Sequence, residues 1–146
     1  MQSPFDMAVA RIKEIEALEP QKNALVALLQ NYGAKTLPKK EPHILGALPY
    51  VAQFLFEGSG MVTIYFCLMD WQTDSDVVIT NMTSFPQISG YGKRAITNLL
   101  QWARDNSLKE VRATQVHESN EGFWLKNGFE KCPPPNPCND FVFPIL

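Results

Sequence analysis

The sequence has little of what several protein classes require. Its three cysteines, Cys67, Cys132 and Cys138, are too few and odd in number for a disulfide framework. A reducing cytoplasm is therefore the expected compartment. The two histidines and three cysteines show no ligand spacing, so no metal is expected. Charge of one sign is also scarce. The formal net charge is -2, which gives no global field to draw in nucleic acid or an anionic membrane. No apolar run reaches the roughly 18 residues of a membrane span. The opening "MQSPFDMAVARIKEIEALEP" lacks a basic n-region and an uninterrupted apolar stretch, so it is not expected to be a signal peptide. "NMT" at Asn81 matches a glycosylation sequon by chance. No G-x-S-x-G elbow and no internal repeat occur. What is present is 146 residues that are 45% hydrophobic, enough for one domain, 1–146, with a sizeable core.

Patterning gives an α/β reading. Ala8 to Ile15 fits a strand or a helical turn. Gln21 to Asn31 reads as a helix with Ala24, Leu25, Leu28 and Leu29 on one face and Gly33 as its stop. The three prolines of Thr36 to Pro49 predict a loop. Three strand-like runs follow at Tyr50–Glu57, Met61–Met69 and Val77–Phe85, with short turns that imply antiparallel hairpins. Lys93 to Asp105 is an amphipathic helix, and Glu110 to Val116 a strand. Strand, helix, strand is a right-handed crossover, so Val77–Phe85 and Glu110–Val116 should be parallel neighbours. Asn120 to Lys126 reads as a short helix with Ser119 as N-cap and Gly128 as stop. "CPPPNPC" is a loop and Asp140 to Ile145 a last strand. The apolar surface of Met61–Met69 and "DFVFPIL" leads us to expect a homodimer through the C-terminal strands.

Only eight glycines occur, yet Gly90 and Gly92 both stand at the junction between a strand and the amphipathic helix. A helix start offers free N–H groups, and glycine lets an anion approach them. Lys93 and Arg94 oppose the helix dipole there, a conflict that an anionic ligand offsets. A Walker A loop is excluded because position 87 is Gln87, not glycine. "GYGKRA" fits the dinucleotide fingerprint, with Glu118 further on, but only one crossover follows it. A nucleotide-dependent oxidoreductase is thus a distant reading.

Gln87-Ile88-Ser89-Gly90-Tyr91-Gly92 resembles the Q/R-x-x-G-x-G/A loop of the GNAT superfamily of acyl-CoA-dependent N-acyltransferases. "SNEGFWLKNGFEK", Ser119 to Lys131, is similar to that family's second signature. Together the two cover about a third of the chain. The resemblance implies a GNAT-like mixed sheet: antiparallel N-terminal strands, a splayed central parallel pair and flanking helices. It implies that Ser89 to Lys93 hold the pyrophosphate of acetyl-CoA, and that backbone near Ser84, Phe85 and Gln87 pairs with the pantetheine arm. It places Asn120 on that arm. It puts Phe123 and Trp124 where the family often has a tyrosine acid. An indole cannot act as an acid near neutral pH, which leaves Tyr91 and Tyr65 as alternatives. Glu118 is the leading candidate base, ahead of His117, with Asp70 and Glu57 behind. The implied activity is transfer of an acetyl group to a primary amine on a small molecule or peptide. The competing reading is a silent CoA-binding or sensing module.

Overall fold

A helix precedes every strand in the computed structural model, which describes residues 3–38, 50–68, 76–85 and 90–145. Helix α1 spans Pro4–Ala27. Ser3 caps it by accepting from the Asp6 N–H at 3.1 Å, with Pro4 in the first turn. The stretch from Ala8 to Ile15 and the segment from Gln21 are one element, because the helix runs straight through Pro20. A proline gives up one helical N–H bond, and here the ladder on either side persists. The buried stripe at the end of the helix is Lys22, Val26 and Leu29, with Leu25 packed beside it. That stripe follows the i, i+4, i+7 spacing and leaves Leu28 at 42% exposed and Ala24 outside. A 3-10 turn, Leu28–Tyr32, closes on Gly33 at φ 88°.

Strand β1, Ala34–Pro38, corrects the loop expected from Thr36. Pro38 ends an edge strand of the described sheet, where a missing N–H costs least. The remainder of that loop, and the turn from residue 69 to 75 with Asp70 and Trp71, lie outside the described residues. Strands β2 (Tyr50–Phe56), β3 (Gly60–Leu68) and β4 (Val77–Phe85) then pair antiparallel, β1 through β4. Helix α2, Tyr91–Asp105, crosses to β5, Glu110–Ala113, which lies parallel to β4. Helix α3 is Glu121–Lys126. A two-residue strand β6, Glu130–Lys131, was not anticipated. Strand β7, Phe141–Pro144, sits between β5 and β6 and completes the order β1-β2-β3-β4-β5-β7-β6.

Two local expectations change. Ser119 does not cap α3; Asn120 stands at its N-cap without a side-chain bond. The strand after α2 ends at Ala113 rather than Val116, because Gln115 takes φ 54° and turns the chain out of the sheet. Gly128 does end α3, at φ 90°. A Cβ there would also meet the Phe143 ring at 2.8 Å.

The core lies between the sheet and the helices. Val62, Ile64, Phe66 and Leu68 of β3 are wholly buried on one face, opposite Tyr50, Ala52 and Phe54 of β2. Trp102 of α2 is also wholly buried, edge-on to Phe66, and its indole donates to the Leu25 carbonyl at 3.0 Å. Phe141 is buried and Phe143 packs on Phe129. The apolar surface that suggested a dimer is thus largely inside one chain, and β7 is not an edge strand.

Trp102 joins helix, sheet and α1 at a single point. Trp102→Ala should cost about 3–5 kcal/mol in denaturant unfolding, through a large cavity and the loss of the indole bond to the Leu25 carbonyl. A loss below about 1 kcal/mol would mean that this junction does not hold the layers together.

Candidate functional site

The site begins with an irregularity in β4. Tyr65 of β3 faces Asn81, but the next residue, Phe66, faces Ile79. Thr80 is therefore an extra residue, a bulge, and its Oγ1 donates to the Tyr65 carbonyl at 3.2 Å. A bulge bends its strand and sharpens the local twist. At the same place the parallel pairing with β5 stops. Val77, Val78 and Ile79 face Val111, Arg112 and Ala113, and the Thr114 N–H still reaches the Ile79 carbonyl at 3.0 Å. Beyond that point β4 runs on to Phe85 without β5 beside it.

The other arm of this V is held from outside. Thr114 Oγ1 donates to Asp140 Oδ1 at 2.7 Å. The Val116 N–H reaches the Asn139 carbonyl at 3.3 Å, and Asn139 Nδ2 returns a bond to the Val116 carbonyl at 2.7 Å. Arg112 fixes the second oxygen of Asp140 at 3.0 Å. Asn136 braces the loop itself, accepting from the Asp140 N–H and donating to the carbonyls of Cys132 and Asp140. The proline-rich loop is thus a bracket that draws residues 114–117 away from β4.

Between the arms lies a cavity of about 1080 Å³. This is at the upper end of the size range of ligand pockets. Thr80 to Ser84 form one wall and Thr114 to His117 another. Ser119, Asn120, Phe123, Trp124, Lys126 and Asn127 close it from the α3 side, and Gly90, Gly92 and Lys93 close the end at α2.

The two glycines serve different needs. Gly90 is the N-cap of α2 at φ 99°, a conformation that a side chain rarely adopts. Gly92 lies within the helix, and a Cβ there would meet Met82 Cε and Phe123 Cε1 at 3.0 Å. The N–H groups of Tyr91, Gly92 and Lys93 have no helical acceptor by position. Lys93 lines the cavity, whereas Arg94 turns to Glu57 at 3.8 Å and stacks on the Phe56 ring at 4.6 Å.

The candidate residues divide clearly. The structure brings together Ser84, Gly90, Gly92, Lys93, Asn120, Phe123 and Trp124 around one cavity. Phe85 ends β4 with its side chain 73% exposed. Gln87, Ile88 and Ser89 lie outside the described residues. Tyr91 is not among the cavity residues: its hydroxyl donates to the Glu57 carbonyl at 3.0 Å, and its ring stacks on Phe56 at 4.9 Å. Glu118 is exposed in the 3-10 turn Glu118–Asn120 and does not line the cavity either. Tyr65 stands on β3, away from the lining. Glu57 is engaged by Arg94. His117 does line it, as do Thr80, Lys126 and Asn127, which sequence reasoning passed over. Lys126 and Asn127 follow Phe123 by three and four residues, a helical spacing that could have found them. Among the described residues, no group of three or more His, Cys, Asp or Glu is placed to hold a metal, and no helix is long and apolar enough to cross a membrane.

The topology is the one that the resemblance to GNAT enzymes led us to expect. It has the antiparallel strands first, one parallel pair that parts midway, and a glycine-capped helix at the open end. That single parallel pair among the described strands leaves no place for a doubly wound dinucleotide fold. No protein-family model matches the sequence, and no curated protein is significantly similar to it. Solved structures are similar over most of the chain. The KacTA–DNA complex covers 67% of this chain and 67% of its own, at 14% identity and a TM-score of 0.45. AtaTR bound with AcCoA covers 83% and 73%, at 15% identity and a TM-score of 0.46. A mutant of KacT covers 89% and 82%, at 14% identity and a TM-score of 0.43. At TM-scores below 0.5 such similarity carries no weight for the role of any residue here. The DNA of the first complex is a partner of that protein.

The bracket also governs a thiol. Burial pushes Cys132 above the ordinary thiol range, with Asp140 and Glu110 adding to the shift and Arg112, 3.5 Å from the sulfur, opposing it. A raised value means less thiolate at neutral pH. Cys138 is exposed. Iodoacetamide at neutral pH should therefore alkylate Cys138 severalfold faster than Cys132, and the Cys132 rate should climb as pH rises. Peptide mass spectrometry reads both rates; equal rates would mean that the loop does not hold Cys132 in place.

Proposed function

We propose that this chain, as one domain, is an acyl-CoA-dependent N-acetyltransferase that passes an acetyl group from acetyl-CoA to a primary amine. The observation that carries the reading is the V between β4 and β5, closed at its wide end by the glycine-capped start of α2. The wall of β4 beyond Ile79, where pairing with β5 stops, suits an extended amide-rich arm. Free helix N–H groups and Lys93 suit the pyrophosphate. Asn120, Phe123 and Trp124 would line the arm's other side. The amine then attacks the thioester directly, and positioning together with backbone donors supplies most of the rate. The acceptor is a small molecule or a peptide.

No acid is required for thiolate departure. A CoA thiol leaves with a pKa near the thiol reference of about 8.5, far below that of an alkoxide. This agrees with Trp124, 6% exposed and packed edge-on to Phe123 and Phe129, where an acid would otherwise stand.

A second reading, a silent CoA-binding module, draws on Tyr91 and Glu118, neither of which lines the cavity. Thiol release on mixing acetyl-CoA with an amine panel separates the two, since only the enzyme releases thiol.

Calorimetry tests the site itself. Gly90→Val should weaken acetyl-CoA binding by forcing a side chain into positive φ, and Gly92→Val by displacing Met82 and Phe123. Affinity like that of the wild type in both variants would remove the phosphate cradle. Trp124→Phe should keep turnover within about tenfold, while Asn120→Ala should mainly raise the Michaelis constant for acetyl-CoA. A collapse of kcat in Trp124→Phe would show that the indole N–H is needed in the chemical step.

A further inference from the structure

The cavity is lined by one imidazole with a built partner. Among the described residues that line it, only Lys93, Lys126 and His117 titrate. An amine nucleophile arrives protonated and must lose a proton before it attacks. Lysines that face a phosphate-bearing ligand serve as cations, which leaves His117.

Its geometry says how it would work. The Ser119 N–H donates to His117 Nδ1 at 3.1 Å, and Ser119 Oγ is 2.8 Å from the same nitrogen. A nitrogen that accepts carries no proton, so the neutral ring holds its hydrogen on Nε2. Nε2 is then a donor, and the basic lone pair is on Nδ1, behind Ser119. Both residues line the cavity.

We propose that Ser119 and His117 form the proton-accepting pair for the acceptor amine; this rests on the acetyltransferase reading above. The ammonium gives one proton to Ser119 Oγ as the hydroxyl proton passes to His117 Nδ1. The free amine forms the new C–N bond and the C–S bond breaks. The attacking nitrogen's second proton goes to the departing thiolate, giving CoA thiol, and the imidazolium releases the first proton to water. Protonation at Nδ1 takes away the acceptor of the Ser119 N–H, and loss of that proton to water restores the bond.

The charged surroundings are few. Lys93 of α2 and Lys126 of α3 line the same cavity, and β4 contributes only neutral residues from Ile79 to Ser84. Glu118 adjoins the pair in sequence, and Glu121 is engaged by Lys131 at 3.3 Å and Asn139 at 3.3 Å. Among the described residues no carboxylate lines the cavity beside His117.

The test uses the full chain, with acetyl-CoA and an amine panel of a lysyl peptide, a free-N-terminal peptide and spermidine. Thiol release is followed from pH 6 to pH 9, and acetyl-CoA affinity is measured by calorimetry. His117→Gln and Ser119→Ala should each lower kcat by about tenfold or more near neutral pH. Their acetyl-CoA affinity should stay within about twofold of the wild type. Their kcat/KM should keep rising about tenfold per pH unit where the wild type levels off. Ser119→Thr, which keeps the hydroxyl, should restore most of the rate. An unchanged pH profile in both variants overturns the pair. So does an acetylated Ser119 in peptide mass spectra, because the hydroxyl would then be the nucleophile. Wild-type protein that binds acetyl-CoA but consumes none with any amine overturns it too, whereas wild-type protein that does not bind acetyl-CoA overturns the acetyltransferase reading first.

Discussion

Everything at the site depends on two strands being kept apart. Parallel neighbours normally continue pairing, because each unpaired N–H and C=O beside a core is costly. Here the separation is enforced from both sides. Thr80 bulges from β4, and Asp140 and Asn139 pull residues 114–116 outward through three bonds of 2.7–3.3 Å. A bulge alone would bend one strand; a bracket alone would strain the other. Together they leave a row of strand backbone facing a cavity, where an amide-bearing ligand can take the place of the missing neighbour.

The rigid parts explain why this arrangement persists. The Asp140 carboxylate takes one oxygen to Thr114 and the other to Arg112, so its orientation is fixed at both oxygens by β5 and the residue that follows it. Its side chain is only 14% exposed, and solvent screens these bonds less than it would a surface pair. Outside the cavity, Tyr91 stacks on Phe56 and bonds to the Glu57 carbonyl, which ties the start of α2 to the β2–β3 turn. Gly60 belongs to the same joint, since a Cβ there would fall 2.3 Å from the Tyr91 ring. The helix start is thus set by aromatic packing, while Gly90, Gly92 and Lys93 line the cavity end.

Much of this was legible in the sequence because it is periodic. The β4 boundaries, the amphipathic α2 and the parallel crossover follow from alternation and from the spacing of Ile96, Leu99, Leu100 and Ala103. The Gly90 turn was legible because positive φ leaves a compositional trace. What was not legible depends on contacts distant in sequence. Nothing local marks Thr80 as a bulge, since that follows from the register with Tyr65 and Phe66. Asp140 reads as a loop carboxylate until the fold sets it beside Thr114. Tyr91 looked available because its motif surrounds a ligand loop, yet its hydroxyl is used by a turn 34 residues earlier. Glu118 stands next to His117 in sequence, and the 3-10 turn separates the two, taking His117 to the cavity wall and leaving Glu118 outside the lining.

The charge of the cavity joins these features into one chemical scheme. Lys93 and Lys126 line it, and no carboxylate among the described residues does. A chain of net charge -2 therefore keeps a local positive field where a phosphate-bearing ligand would lie. The same charge bears on which base the proposed chemistry can use. A carboxylate in the lining would weaken the hold on a phosphate-bearing ligand, whereas an imidazole reached through a hydroxyl adds no negative charge there. The absence of Glu118 from the lining is in keeping with that proposal.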